Sequence, residues 1–361
     1  MRTLGDTIGR LAAHRASAAQ ADFAQPGADR LSDLANFGSN PGALKARCFV
    51  PVDLPDDSPL VVVLHGCTQT AAGYDAGSGW SVLAEAQGFA LLFPEQVRGN
   101  NANLCFNWFV PGDIVHGAGE VLSIRQMIDT MVKLHGLDRR RIFVTGLSAG
   151  GAMAMAMLAT APEVFAGGAI IAGLPYGTAK TMPEAFDRMR GMGLPDAEAT
   201  AKLVRAASAH VGETPWPVLS VWQGSADKTV DAANAQAIIG GWAALHGVSV
   251  TATEQQEVNG HVRRVWRDTA GKPVIEAFAI GGMAHGTPIG EGAGAPAPFM
   301  LDAGISSTLR IAAFWGIAPA VAEGTAAAAG PEPVAPNAEF AGFAGPGAMI
   351  EQALRSAGLM R

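Results

Sequence analysis

Between Arg141 and Glu163 the chain runs through 21 residues, Ile142 to Pro162, without a single charge. That length would cross a bilayer, yet the internal pattern changes twice along it. Ile142-Phe143-Val144-Thr145 is β-branched and aromatic, Gly146-Leu147-Ser148-Ala149-Gly150-Gly151 is a break, and the next residues alternate Ala with Met. Strand, sharp turn and buried helix fit this succession better than one membrane span. In Gly-x-Ser-x-Gly the serine is held on a strained strand-to-helix turn, and the glycines remove the Cβ atoms that would block close backbone approach. The serine hydroxyl is thereby pushed into the open, with the N–H groups of the next helix turn facing any anion formed beside it. The same five residues also occur in ordinary tight turns, so partners elsewhere in the chain decide their meaning.

The rest of the chain reads as strands alternating with helices. Leu60 to His65, Gly88 to Pro94, Gly167 to Gly173 and Val218 to Trp222 are continuous apolar runs, the pattern of parallel strands covered on both faces. Helices are expected at Trp80 to Gln87, Glu120 to Leu134, Ala149 to Ala159, Ala232 to Leu245 and Ile305 to Trp315. Val262 to Trp266 and Val274 to Ile280 read as strands around the Ala270-Gly271 turn, and Ser32 to Phe37 with Leu44 to Val50 as an edge pair. This βαβ order implies an α/β fold with a mostly parallel sheet. Residues 174–217 break the alternation with two helices, Pro183 to Arg190 and Asp196 to Ala209, and are expected to form an insertion over the strand ends. Three regions result: an N-terminal amphipathic arm over 1–30, a catalytic domain over 31–317, and an Ala/Gly/Pro-rich linker with a short helix over 318–361.

Composition excludes more than it identifies. With 25 Lys and Arg against 32 Asp and Glu, and no block of like charge, nucleic acid is not an expected partner. Residues 1–20 hold no apolar run of signal-peptide length, which favours a cytoplasmic location over export. No transmembrane segment is expected. Cys48, Cys67 and Cys105 lack the spacing of a zinc site, so no metal is expected, and three buried thiols in a reducing compartment is one reading of them.

Ser148, Asp227 and His285 occur in the order Ser, Asp, His, the latter two each just beyond an expected strand. That is the chain order of an α/β-hydrolase triad. A hydroxyl is a poor nucleophile at neutral pH. An imidazole must take its proton, and a carboxylate must fix the imidazole tautomer. Of eight histidines, only His285 sits in a glycine-flanked loop at the right point in the chain. Asp231 is a nearby rival to Asp227, read instead as a helix cap. The N–H groups of Ala149 and Cys67, the latter just past the strand ending at Leu64, are the expected oxyanion donors. His65 receives no proton-transfer role.

Leu64-His65-Gly66-Cys67-Thr68-Gln69, the Asn-rich loop ending Cys105-Phe106-Asn107-Trp108-Phe109, Gly146 to Gly151, Gly173-Leu174-Pro175-Tyr176-Gly177 and Met283 to Pro288 together resemble the polyhydroxybutyrate depolymerase family of esterases. The resemblance covers roughly residues 44–316. It implies an α/β-hydrolase fold with helices on both faces of the sheet, a Ser-Asp-His triad, and cofactor-free hydrolysis of esters of short hydroxyacids, polymeric or oligomeric. The family grades into feruloyl and acetylxylan esterases, and a poly-amide would suit the same triad. A binding protein on an inactive hydrolase fold is the reading from a different class. Trp108 and Tyr176 are the expected substrate contacts. Cys67 and Cys105 are expected to meet at the carboxyl edge of the sheet, close enough for a disulfide, although a cytoplasmic location would leave them reduced. The termini are read as attachment segments for a second copy or a hydrophobic particle.

Overall fold

Leu60-Val61-Val62-Val63-Leu64 offers water no polar face, and in the computed structural model it lies inside a sheet covered on both sides. The structure describes residues 29–208 and 215–321. The arm expected over 1–30 and the tail expected over 318–361 therefore lie almost entirely outside the described residues.

Ten strands form the main sheet: β1 (Ser32–Asp33), β2 (Lys45–Phe49), β3 (Leu60–Leu64), β4 (Ala90–Glu95), β5 (Ile142–Leu147), β6 (Gly167–Ile171), β7 (Val218–Gly224), β8 (Glu254–Val258), β9 (His261–Arg267) and β10 (Pro273–Ile280). Their spatial order is β1-β2-β4-β3-β5-β6-β7-β10-β9-β8. The six inner strands from β4 to β10 run parallel, and antiparallel pairs close both edges. Every inner strand thus points its carboxyl end to one edge, where open α/β sheets place their ligands. A small second sheet pairs β11 (Thr287–Ile289) with β12 (Met300–Asp302) beside that edge.

Side chains alternate between two cores, as the pleat requires. Leu60, Val62, Ile142, Val144 and Ile275 face α3 (Gly119–His135), α4 (Ala149–Thr160), α6 (Ala197–Ala207) and α7 (Ala233–His246). Val61, Val63, Phe143, Trp222 and Phe278 face α1 (Ala71–Ser78), α2 (Trp80–Gln87) and α8 (Ser307–Phe314). The second core is aromatic: Trp222 stacks on Phe278 at 3.9 Å and Trp315 on Phe143 at 4.8 Å. All twelve residues of α4 are buried, which explains the uncharged run. A helix apolar all round needs cover on every side, and here a sheet and neighbouring helices provide it. Among the described residues no helix is long and apolar enough to cross a membrane.

The inserted helices divide. α5 (Met182–Met189) sits over the strand ends, its Ala185 packed in a cluster with Ala149 and Trp108. α6 instead lies in the helical layer with Ala201 and Val204 buried in the first core, because its small residues fit against the glycines of α7. The expectation that the whole insertion covers the strand ends is corrected to that extent. Sequence periodicity also missed α1, whose Ala-Ala-Gly-Tyr-Asp-Ala-Gly-Ser is made of weak helix formers and starts on a Thr70 cap. It missed β8 as well, a polar edge strand.

At the β9/β10 edge, Glu276 is buried and its carboxylate accepts bonds from Arg263 at 2.9 and 3.1 Å and from Ser220 at 2.8 Å. Removing Arg263 would leave that carboxylate without its countercharge. Arg263→Ala is expected to cost about 3–5 kcal/mol, whereas Arg267→Ala, which breaks the largely exposed pair with Glu254 and an exposed bond to Gly271 O, should cost under about 1 kcal/mol. Urea denaturation of both variants checks this, and equal losses would refute it.

Candidate active site

Ser148 closes β5 and opens α4 with φ 57° and ψ −118°, a conformation in which few non-glycine residues are found. The surrounding backbone holds it there. Its N–H donates to the Ile171 carbonyl at 2.9 Å, and its own carbonyl accepts from Ala152 at 2.8 Å. Close packing explains the flanking glycines. A Cβ on Gly146 would come within 2.4 Å of the Gly150 backbone, and one on Gly150 within 2.3 Å of the Leu64 carbonyl oxygen. The Ser148 hydroxyl makes no capping bond to α4, which leaves it available for chemistry.

Two further strand ends carry the expected acid and base, Asp227 and His285. The Asp227 loop after β7 and the His285 loop after β10 are stitched together by Ser225 N–H to Ile280 O at 3.0 Å, Ala226 N–H to Met283 O at 3.0 Å and Gly282 N–H to Ser225 Oγ at 2.8 Å. His285 Nδ1 then lies 2.7 Å from Asp227 Oδ2, with the Asp227 side chain wholly buried. Asp227 Oδ1 accepts the Thr229 and Val230 N–H groups at 2.8 and 2.9 Å. Burial pushes the Asp227 carboxyl up, but the bond to His285 and these backbone donors outweigh it and hold the group below the usual carboxylate range. Asp231 sits one residue before the Ala232 cap of α7, and its Oδ1 accepts the Ala233 N–H at 2.8 Å. Ser148 and His285 line one crevice, together with Gly66, Cys67, Gln69, Leu147 and Phe299.

The loop after β3 forms the crevice's other wall. Cys67 is disulfide-bonded to Cys105 with their Cα atoms 4.2 Å apart, and Cys48 is free and buried. The Thr68 N–H donates to Asn103 O at 2.7 Å, and the Gln69 side chain accepts the Gly66 N–H at 2.8 Å. Among the described residues the Cys67 N–H has no acceptor, and the Ala149 N–H belongs to the first turn of α4, where donors lack helical partners. Cys67 lines the Ser148 crevice and Ala149 directly follows Ser148, the two positions expected of oxyanion donors. His65 is buried, with Nε2 accepting the Gln96 N–H at 3.1 Å and Nδ1 2.7 Å from Gly66 O. Only the neutral tautomer with its proton on Nδ1 satisfies both contacts, and burial pushes its pKa down.

Comparison with known proteins places this arrangement. The model of the family described as esterase PHB depolymerase matches residues 47–267. The chain belongs to that family. Poly(3-hydroxyalkanoate) depolymerase C of Paucimonas lemoignei is 44% identical over 293 residues, covering 80% of this chain and 70% of that protein. Acetylxylan esterase A of Aspergillus oryzae is 29% identical over 266 residues, or 72% of this chain and 85% of that one. Among solved structures, an acetyl xylan esterase from Aspergillus awamori superposes with a TM-score of 0.68 at 23% identity, covering 81% of this chain and 100% of that one. The fold is that of an α/β-hydrolase, and the chain is a serine hydrolase acting on carboxylic esters.

Within this PHB depolymerase-family site the two expected substrate contacts lie differently. Trp108 is buried in the cluster that holds Ala149, Leu174 and Val230, with Cys67 and Cys105 against it. The Tyr176 hydroxyl donates to Ile114 O at 3.2 Å and the ring packs on the first core, so the structure does not bring Tyr176 to the crevice. A Gly-Leu-Pro-Tyr-Gly motif carries no signal of which way its ring turns, and here the half-buried ring lies against the core and not among the residues lining the crevice. Phe299 and Gln69 line the crevice instead. Phe299 stands edge-on to His285 at 6.3 Å, and its carbonyl accepts the Thr287 N–H at 2.7 Å. A lone aromatic in a Gly/Ala/Pro-rich loop gave the sequence no reason to select it.

The depressed folded pKa of Asp227 has a definite sign. Its stabilisation is fully present above the ordinary value near 3.8 and is lost as pH falls through the lower folded value. The gap in thermal midpoint between the parent and Asp227→Asn should therefore be wider at pH 6 than at about pH 3. A gap that does not change across that range would contradict a charged, hydrogen-bonded Asp227.

Proposed function

We propose that this protein hydrolyses esters of short hydroxyalkanoates, as polymer or oligomer, through an acyl-enzyme on Ser148. The observation that carries the reading is the Asp227–His285 pair at 2.7 Å, meeting the strained Ser148 turn in one crevice at the carboxyl edge of the sheet. Ser148 Oγ attacks the ester carbonyl while the other His285 nitrogen, Nε2, takes its proton. Asp227 fixes the proton on Nδ1 and stabilises the imidazolium. The Cys67 and Ala149 N–H groups receive the oxyanion. The intermediate collapses as His285 returns the proton to the leaving alkoxide, and water, activated by the same imidazole, releases the hydroxyacid.

Support for the hydroxyalkanoate class comes from the 44% identity to the Paucimonas lemoignei depolymerase, against 29% for the Aspergillus oryzae acetylxylan esterase. The test is a panel of hydroxybutyrate oligomers and particles, acetylated xylan and a feruloyl ester. Turnover confined to the last two would overturn the substrate assignment. Ser148→Ala and His285→Ala should each lower turnover by roughly three or more orders of magnitude, and Asp227→Asn by a similar amount through the wrong tautomer, with Asp231→Asn mild. Full activity in folded Ser148→Ala would end the catalytic reading. Attachment to particles or to a second copy through the termini is part of the same proposal. A chain truncated after Ala318 should keep soluble-ester turnover and lose particle binding.

The Cys67–Cys105 bond supports an oxidising compartment, and so the exported alternative over the cytoplasmic expectation. Mass mapping of non-reduced peptides from the native source should recover the 67–105 pair. Finding both thiols free there would favour a reducing compartment.

A further inference from the structure

Gln96 and Glu120 lie outside the crevice and take no direct part in acyl transfer. Both are buried polar residues joined to each other, with Gln96 Nε2 donating to Glu120 Oε1 at 2.7 Å. What they hold is unusual in its reach. The Gln96 backbone N–H fixes His65 Nε2 at 3.1 Å, and His65 in turn holds Gly66 O, next to Cys67. The Gln96 side-chain amide also donates to Cys105 O at 3.0 Å, on the far side of the Cys67–Cys105 bond. Glu120 Oε2 accepts the Asn107 N–H at 2.9 Å, beside Trp108, and Asn100 donates to Glu120 Oε1 at 3.2 Å and to Gln96 Oε1 at 2.8 Å. Cys67 is therefore gripped along two routes, through His65 and through the disulfide, and both start at this one pair.

We propose that Gln96 and Glu120 are positioning residues that clamp the Cys67 N–H in place for the oxyanion. The choice of a carboxylate at position 120 supports this. Burial pushes its carboxyl up to about 8, against the pull of the Asn107 N–H, Gln96 and Asn100, and the neighbouring Asp113 carboxylate adds to the rise. A site needing only filling would accommodate an amide or an apolar side chain at less cost. Its two oxygens accept from three donors at three chain positions, the side-chain amides of Gln96 and Asn100 and the Asn107 N–H. Glu120→Gln keeps the size but turns an NH2 group toward one of those donors.

The proposal rests on Ser148 as nucleophile and on the Cys67 N–H as an oxyanion donor. In the full-length, disulfide-intact protein, Glu120→Gln is expected to lower kcat on a soluble hydroxybutyrate ester by about tenfold or more, since displacement of a catalytic group by about an ångström carries costs of that order or larger. KM should stay within about twofold, and the rate at which a fluorophosphonate labels Ser148 should fall in parallel, because that reaction uses the same oxyanion donors. Gln96→Met removes the amide bonds yet keeps the backbone bond to His65, and carries the same expectation where Glu120→Gln does not fold. A lower melting temperature with kcat and labelling rate within about twofold of the parent would overturn the clamp and leave a structural role only. Ser148→Ala run alongside separates the two ideas: turnover surviving in Ser148→Ala sinks the catalytic reading itself. An inactive Ser148→Ala with unimpaired Glu120→Gln and Gln96→Met sinks the clamp alone.

Discussion

The backbone of Ser148 is where the whole architecture converges. A non-glycine residue at φ 57° costs on the order of 1–3 kcal/mol and survives only because its neighbours permit nothing else. The N-terminus of α4 presses so close to the ends of β3 and β5 that Gly150 meets the Leu64 carbonyl and Gly146 meets Gly150. That closeness requires α4 to be small-faced at its start and apolar thereafter, hence the uncharged run, and it requires a sheet rigid enough to resist. Six parallel strands with both faces buried supply that rigidity. The same closeness brings Ser148, at the start of α4, and the loop after β3 to one crevice, so strain at the serine and the approach of that loop have one origin.

Loops carry the remaining chemistry, and loops need restraint. The acid and base loops restrain each other through backbone bonds between residues 225–226 and 280–283. The donor loop after β3 has no such partner strand, since β4 next to it ends in the long Asn-rich loop. Its restraint is heterogeneous: a disulfide, a backbone bond from Thr68 to Asn103, and the buried polar group around Gln96 and Glu120. Buried polar networks of this kind are costly when half-satisfied and rigid when complete. That asymmetry explains why so many asparagines are concentrated in residues 100–107. The side-chain amides of Asn100, Asn101 and Asn107 answer backbone or side-chain groups that would otherwise be stranded, as Asn101 does for the N–H groups of Asn103 and Cys105.

The division between what could and could not be read in advance tracks the range of the physical signal. Covered parallel strands announce themselves as apolar runs, and the elbow as a glycine pattern, because both are dictated by local sterics and burial. β8 was invisible because an exposed edge strand needs no apolar face, and its Glu-Gln-Gln-Glu resembles a loop. α1 was invisible because it is held by its Thr70 cap and by packing rather than by propensity. Asp227 and His285 could be chosen from chain order, since each comes after a strand whose direction is set. Phe299, Gln69, Gln96 and Glu120 could not. Their places depend on contacts across long loops or between separate elements, which no local pattern encodes.

Tyr176 and Phe299 together show why machinery is easier to infer than substrate. A triad needs three residue types at topologically fixed points, so chain order constrains it strongly. A substrate wall needs only an apolar surface at the right height, and many side chains can serve. The Tyr176 hydroxyl is committed to the Ile114 carbonyl, which turns the ring into the core, whereas Phe299 is carried by a backbone with φ 65° that sets its ring edge-on to His285. A small change in the loop between β11 and β12 would exchange that ring for another group without disturbing the sheet, the elbow or the acid–base pair. Relatives named for hydroxyalkanoates and for acetylated xylan can therefore share one scaffold.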